Sequence, residues 1–139
     1  MKKNLLLLLF VLGCSVVSAQ EVKYLTTEEF KTKVFDYSKD SVWHYCGELP
    51  CIVDFYTTWC GPCKRLAPVM EELAKEYEGK VLFYKADTEK ERELAGLFRI
   101  TSIPTLLFVP AEGQPALSKG AAPKEDMKRA IETFLLKKQ

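Results

Sequence analysis

The chain has 139 residues, with 20 Lys and Arg against 19 Asp and Glu and a formal net charge of +1. So even a balance, with no basic stripe along the sequence, excludes a nucleic-acid binder held by phosphate contacts. Hydrophobic residues make up 47% of the chain, the composition of one globular domain rather than of a disordered segment.

Met1-Lys2-Lys3-Asn4 is a short basic leader, Leu5 to Leu12 is an unbroken apolar run, and Val17-Ser18-Ala19 is a small-residue cleavage site. That is the pattern of a bacterial secretory signal, and the apolar run is far shorter than the roughly 18 residues a spanning helix needs. Residues 1–19 are expected to be a signal peptide, and residues 20–139 a soluble periplasmic domain. Without Lys2 and Lys3 that domain carries 18 basic and 19 acidic side chains, a net charge of −1. Val11-Leu12-Gly13-Cys14 resembles the lipobox of bacterial lipoproteins. Its departures at Val11 and Leu12 favour cleavage after Ala19, with a membrane tether through an acylated Cys14 as the alternative.

Thr26-Thr27-Glu28-Glu29 offers a capping box, followed by Phe30, Val34 and Tyr37 at helical spacing. A polar connector carries Trp43, His44, Tyr45 and Cys46 to Gly47 and Pro50, with Trp43 and Tyr45 expected to pack it down. Cys51 to Tyr56 is nearly continuously apolar and predicts a strand buried on both faces. Lys64 to Tyr77 is an amphipathic helix through Leu66, Val69, Met70 and Leu73, expected to kink at Pro68 and to end near Gly79. Val81 to Tyr84 is the next strand, and Thr88-x-x-Glu91 is expected to cap a helix whose inner face is Leu94, Ala95, Leu97 and Phe98. Thr105 to Val109 follows Pro104 as a strand, Pro115 to Ser118 completes a hairpin, and a last helix starts near Pro123. Strand–helix–strand units imply parallel pairing and the hairpin adds antiparallel strands. The expected fold is therefore α/β, a mixed central sheet with helices on both faces.

Chemistry concentrates at Trp59-Cys60-Gly61-Pro62-Cys63-Lys64, between the first long strand and its helix. On the first turn of a helix, cysteines at this spacing can bond to each other, and the helix N-terminus favours a thiolate over a thiol. A thiolate with a second thiol beside it is the minimum equipment for thiol–disulfide exchange. A zinc site needs a second Cys/His pair, and none follows Cys63. Asp54 is a carboxylate in the middle of an apolar strand; burial should raise its pKa and let it exchange a proton with Cys63. The plainer reading makes it a hydrogen-bonded structural residue. Cys46 and Cys51 stand either as a second disulfide, worth at most about 2–3 kcal/mol for so small a ring, or as two independent thiols. With His44 they supply three ligands and no fourth, so no metal site is expected. No flavin or nucleotide motif is visible, and no cofactor is expected.

Here the chain resembles the thioredoxins, from about Phe30 to its C-terminus. The resemblance rests on Val53-Asp54-Phe55, Trp59 to Lys64, Ala67-Pro68, Lys85, Ile103-Pro104-Thr105 and Gly120. The leader and the Gln20-Glu21 start are similar to exported thioredoxins of Bacteroidetes. The resemblance implies a thioredoxin fold and a reductase of protein disulfides. Cys60 would be the exposed attacking thiolate, and Cys63, more buried, would resolve the mixed disulfide. Lys85 would sit on the strand beside Asp54, and Pro104 would be cis and face the cysteines. Trp59, Gly61, Pro62, Ile103, Gly120 and Ala121 would form the contact surface for disulfide-containing protein substrates. A monomer fed by a membrane electron donor is expected. The alternatives are a disulfide oxidase or isomerase of the same fold, a cytochrome-maturation reductant, and a redox-silent binding or chaperone module.

Overall fold

The computed structural model describes residues 19–137; the leader and Cys14 lie outside the described residues. The elements in chain order are β1 (Lys23–Tyr24), α1 (Thr27–Lys33), β2 (Cys51–Tyr56), α2 (Gly61–Glu76), β3 (Leu82–Asp87), α3 (Arg92–Leu97), β4 (Thr105–Val109), β5 (Ala116–Lys119) and α4 (Lys124–Ala130). A π-helical turn, Ile131–Leu135, continues α4. The sheet runs β1-β3-β2-β4-β5, with β1, β3 and β2 parallel and β4 and β5 antiparallel to their neighbours.

Two cores flank this sheet. On one face Ile52, Phe83, Leu106 and Phe108 meet Leu66, Met70 and Leu73 of α2 with Met127 and Ile131 at the C-terminus. On the other, Cys51, Val53, Phe55, Leu107 and Val109 meet Phe30 of α1 and Leu94 of α3. Alternation along β2 explains the near-continuous apolar run, since consecutive side chains enter opposite cores. Asp54 faces the α2 side in the same alternation as Ile52. The 38–50 connector is held by Trp43 and Tyr45 packing on the second core, with the Trp43 and Phe35 ring centroids 4.8 Å apart.

The capping box at α1 is formed as the sequence predicts: Glu29 N–H donates to Thr26 Oγ1 at 3.2 Å, and Thr26 N–H to Glu29 Oε2 at 3.1 Å. The helix stops at Lys33, so Tyr37 lies beyond it. α2 is one helix running through Pro68. β3 is longer than the apolar run Val81–Tyr84 suggests, which puts Lys85 inside the strand rather than at its end.

The Thr88–Glu91 capping box is not formed, because both side chains are engaged elsewhere. Thr88 Oγ1 donates to Tyr56 O, and the helix begins only at Arg92. The Glu91 carboxylate instead accepts Thr27 N–H at 2.7 Å and Thr27 Oγ1 at 2.6 Å. It thus caps α1 from 64 residues away and favours the positive end of that helix. Glu91→Ala is expected to lower stability by about 1–2 kcal/mol, with Glu91→Gln losing less because it keeps an acceptor. Urea denaturation checks this; no loss in Glu91→Ala would mean that the contact adds nothing. β5 spans Ala116–Lys119, one residue later than the pattern implied, and all four of its residues are exposed at the sheet edge.

Candidate active site

The site is built where β2 ends and α2 begins. Cys60 has extended backbone, φ −75° and ψ 115°, and is the N-cap of α2. Its Sγ accepts the Cys63 N–H at 3.2 Å, taking the place a Ser or Asp oxygen fills at other helix starts. Pro62 lies in the first turn, where a helix has no internal use for an N–H, and that turn carries no acidic residue. Cys60 and Cys63 are disulfide-bonded, with Cα atoms 5.2 Å apart.

The expected contrast in exposure is absent: each cysteine is 4% exposed. What distinguishes the two sulfurs in this oxidised state is the helix end. Negative charge left on Cys60 Sγ when the bond opens meets a backbone N–H and the positive end of α2. As a thiolate Cys60 is thus the better-stabilised nucleophile.

Beneath the disulfide lies a cavity of about 140 Å³ lined by Asp54, Thr57, Cys63, Lys64, Ala67 and Lys85, among others. The register pairs Asp54 with Lys85 across β2 and β3, so both side chains face α2. Asp54 is buried, and its Oδ1 has no hydrogen-bond partner among the described residues. That speaks against the purely structural, hydrogen-bonded reading. Burial pushes its carboxyl up to about 7, against the opposing field of Lys85. A carboxyl that titrates near neutrality beside Cys63 can hold or release a proton there.

The surface residues gather at the same end of the sheet. Phe55 pairs with Thr105, which sets Pro104 level with Tyr56 where the cysteine loop leaves β2. The Ile103–Pro104 bond is cis. Gly120 N–H donates to Pro104 O at 2.8 Å, bringing the turn after β5 to the same edge. Gly120 has φ +86°, a conformation few other residues accept. Gly61, Pro62 and Ala121 are exposed, and Ile103 is half-buried. Trp59 is 66% exposed, held by Nε1–H donating to Glu89 Oε1 at 3.0 Å. Glu89 carried no signal in the sequence, since it lies 30 residues away in a turn.

Cys46 and Cys51 are unbonded thiols here, so the second disulfide left open by the sequence is not formed. Cys51 opens β2 inside the core, while Cys46 is exposed, its N–H bonded to Val34 O. Burial pushes the Cys51 thiol up to about 12. Among the described cysteines of the oxidised protein, iodoacetamide is expected to modify Cys46 alone, with Cys51 reacting only on unfolding, as read by peptide mass. Modification of Cys51 in the folded protein would contradict this burial. His44 is exposed.

The sequence pattern of the thioredoxin family matches residues 21–133. The thioredoxin of Borreliella burgdorferi is 44% identical over 110 residues, which are 79% of this chain and 94% of that protein. Thioredoxin 1 of Nostoc sp. is 34% identical over 111 residues, 80% of this chain and 94% of that one. Among solved structures, chloroplastic thioredoxin z superposes with a TM-score of 0.68 at 26% identity, covering 82% of this chain and 94% of that chain. The thioredoxin of Malassezia sympodialis gives 0.65 at 29% identity, covering 84% and 92%.

Proposed function

The chain belongs to the thioredoxin family and is a thiol–disulfide oxidoreductase acting on protein disulfides, and from that premise we propose that it works outside the cytoplasm as a reductant. The observation that carries the redox direction is the Gly61-Pro62 pair between the cysteines at the start of α2, which resembles the reducing members of this family. The helix end stabilises the Cys60 thiolate as the attacking group; taken alone, this favours the dithiol form and raises the potential of the couple.

In the forward reaction the Cys60 thiolate attacks a substrate disulfide, forming a mixed disulfide and releasing one substrate thiolate. Cys63, giving its proton to Asp54, attacks Cys60 Sγ, re-forms the Cys60–Cys63 bond and releases the second substrate thiolate. Trp59, Gly61, Pro62, Ile103, Pro104 and Gly120 are the surface on which an extended substrate segment would lie, with backbone groups beside Pro104 as its partners.

Export is supported by the basic leader, the apolar run Leu5–Leu12 and the Val17-Ser18-Ala19 site. Gln20, the first residue of the proposed mature chain, already bonds the fold, its Nε2 donating to Val81 O at 2.7 Å. A dithiol in that compartment needs electrons delivered across the membrane, so a membrane-embedded thiol donor is the partner this reading requires. Fractionation with intact mass settles the location: a mature chain starting at Gln20 supports export, an acylated chain starting at Cys14 means a tether, and a full-length cytoplasmic chain overturns it.

The reduction potential of the Cys60–Cys63 couple tests the direction, measured against a thiol buffer with Cys46→Ser and Cys51→Ala. Thioredoxins in general lie at about −270 mV, and a value near it is expected. A value about 100 mV higher, equivalent to about 4.6 kcal/mol for two electrons, would mean an oxidase or isomerase instead.

A further inference from the structure

A single row of side chains crosses the sheet beneath the cysteines. The register pairs Tyr24 with Lys85 and Lys85 with Asp54. Tyr24, Lys85 and Asp54 therefore stand side by side on β1, β3 and β2, with about 4.8 Å from strand to strand. Lys85 is the middle member, and its flexible stem can lean toward either neighbour. It leans on the tyrosine: Nζ lies 4.3 Å from the centroid of the Tyr24 ring, within cation–π range. Lys85 acts on Asp54 through its field and without a hydrogen bond, and Asp54 Oδ1 stays unpartnered among the described residues.

The other carboxylates near Lys85 each hold a backbone N–H through one oxygen. Glu71 of α2 lines a small cavity with Asp54 and Lys85, and its Oε2 accepts Val22 N–H at 3.3 Å. Asp87, Lys90 and Glu91 stand on the far side of Lys85. There Asp87 Oδ1 accepts Glu89 N–H, and Glu91 holds Thr27. On the cysteine side stand Tyr56, with Lys64 and, once the disulfide is reduced, the Cys63 thiol of α2. A Lys85 released from Tyr24 thus has the Asp54 carboxyl as its neighbour in the strand register, with Oδ1 unpartnered among the described residues.

We propose that Tyr24 is a positioning residue for the redox reaction: its ring holds the Lys85 ammonium off the Asp54 carboxyl and keeps that carboxyl free to carry the Cys63 proton. The proposal rests on the proton role given to Asp54 above, but its first step, the placement of Lys85, is measurable by itself. A lysine in contact with the carboxyl would favour the charged form much more strongly than one held aside. Asp54 would then be a weaker acceptor for the thiol proton. Tyr24 is 66% exposed on an edge strand, so it can be replaced with little harm to either core.

The test is the titration of the Asp54 carboxyl by carbon NMR in the oxidised protein, alongside the pH profile of disulfide reduction. Tyr24→Phe keeps the ring and is expected to leave the Asp54 titration in place. Tyr24→Leu is expected to raise the acid dissociation constant of Asp54 about tenfold or more and to move the acidic limb of the pH profile down with it. Adding Lys85→Met to Tyr24→Leu should abolish that change, because the ammonium is its cause. An unaltered Asp54 titration in Tyr24→Leu, or an equal change in Tyr24→Phe, overturns the proposal. A titration that moves while the pH profile stays fixed upholds the placement of Lys85 by Tyr24 and removes the proton role from Asp54.

Discussion

Asp54→Asn is expected to make the protein more stable and, at the same time, a slower enzyme. The folded-state carboxyl titrates at about 7 against an ordinary value of 3.8, with burial as the main cause. The folded chain therefore binds this proton more tightly than the unfolded chain does. By linkage the favourable contribution is complete below about pH 4, is lost progressively as pH rises, and is gone above about pH 7. The separation corresponds to about 4 kcal/mol of destabilisation by the buried charge at pH 8. Asn cannot ionise, so the variant should match the parent near pH 3 and exceed it by about that amount at pH 8, in urea titrations at both pH values. A gain of the same size at pH 3 would mean that packing, not charge, is responsible. In single-turnover experiments the first attack by Cys60 should be spared and the resolving attack by Cys63 slowed, by about tenfold or more where Asp54 is ionised in the parent. Unchanged resolution from about pH 6 to about pH 9 would take the proton role away from Asp54.

Cys63→Ser is expected to stop turnover by trapping its intermediate, whereas Cys60→Ser should stop it before any intermediate forms. Equal burial of the two cysteines gives no reason for such a difference. The helix end does: Cys60 Sγ accepts the Cys63 N–H, and only this sulfur caps α2. With Cys63→Ser the Cys60 thiolate still attacks, and the mixed disulfide, having no thiol beside it, accumulates. Non-reducing electrophoresis with a disulfide-bearing protein substrate should show the conjugate for Cys63→Ser and none for Cys60→Ser. Conjugates of comparable yield from both variants would mean that either sulfur can attack first and that the N-cap does not set the order.

Much of this arrangement was legible in the chain because it depends on neighbours in sequence. Thr26 and Glu29 are three residues apart, so their reciprocal cap is written locally and forms as read. The run Cys51–Tyr56 reads as a doubly buried strand because each of its faces enters a core. The anomaly of Asp54 within it is visible for the same reason. Thr88 and Glu91 have the same local spacing as the cap of α1, yet competing partners at Tyr56 and Thr27 take both side chains. A local rule holds only where no distant partner offers the same donors a better position.

By itself, then, the sequence determined the chemistry: a paired thiol at a helix start, and an acid placed in an apolar strand near it. Both follow from residue type and short spacing. The tertiary structure alone decided how that chemistry is arranged. β1 is two residues long and too short to show any periodicity, yet it sets Tyr24 beside Lys85. Pro104 and Gly120 come to the end of the sheet that carries the cysteine loop only through the pairing of β4 with β2 and with β5. Cys46 and Cys51, five positions apart, go separately to surface and core. Register between strands and the burial of a side chain depend on segments tens of residues away, and no short window of sequence contains both partners.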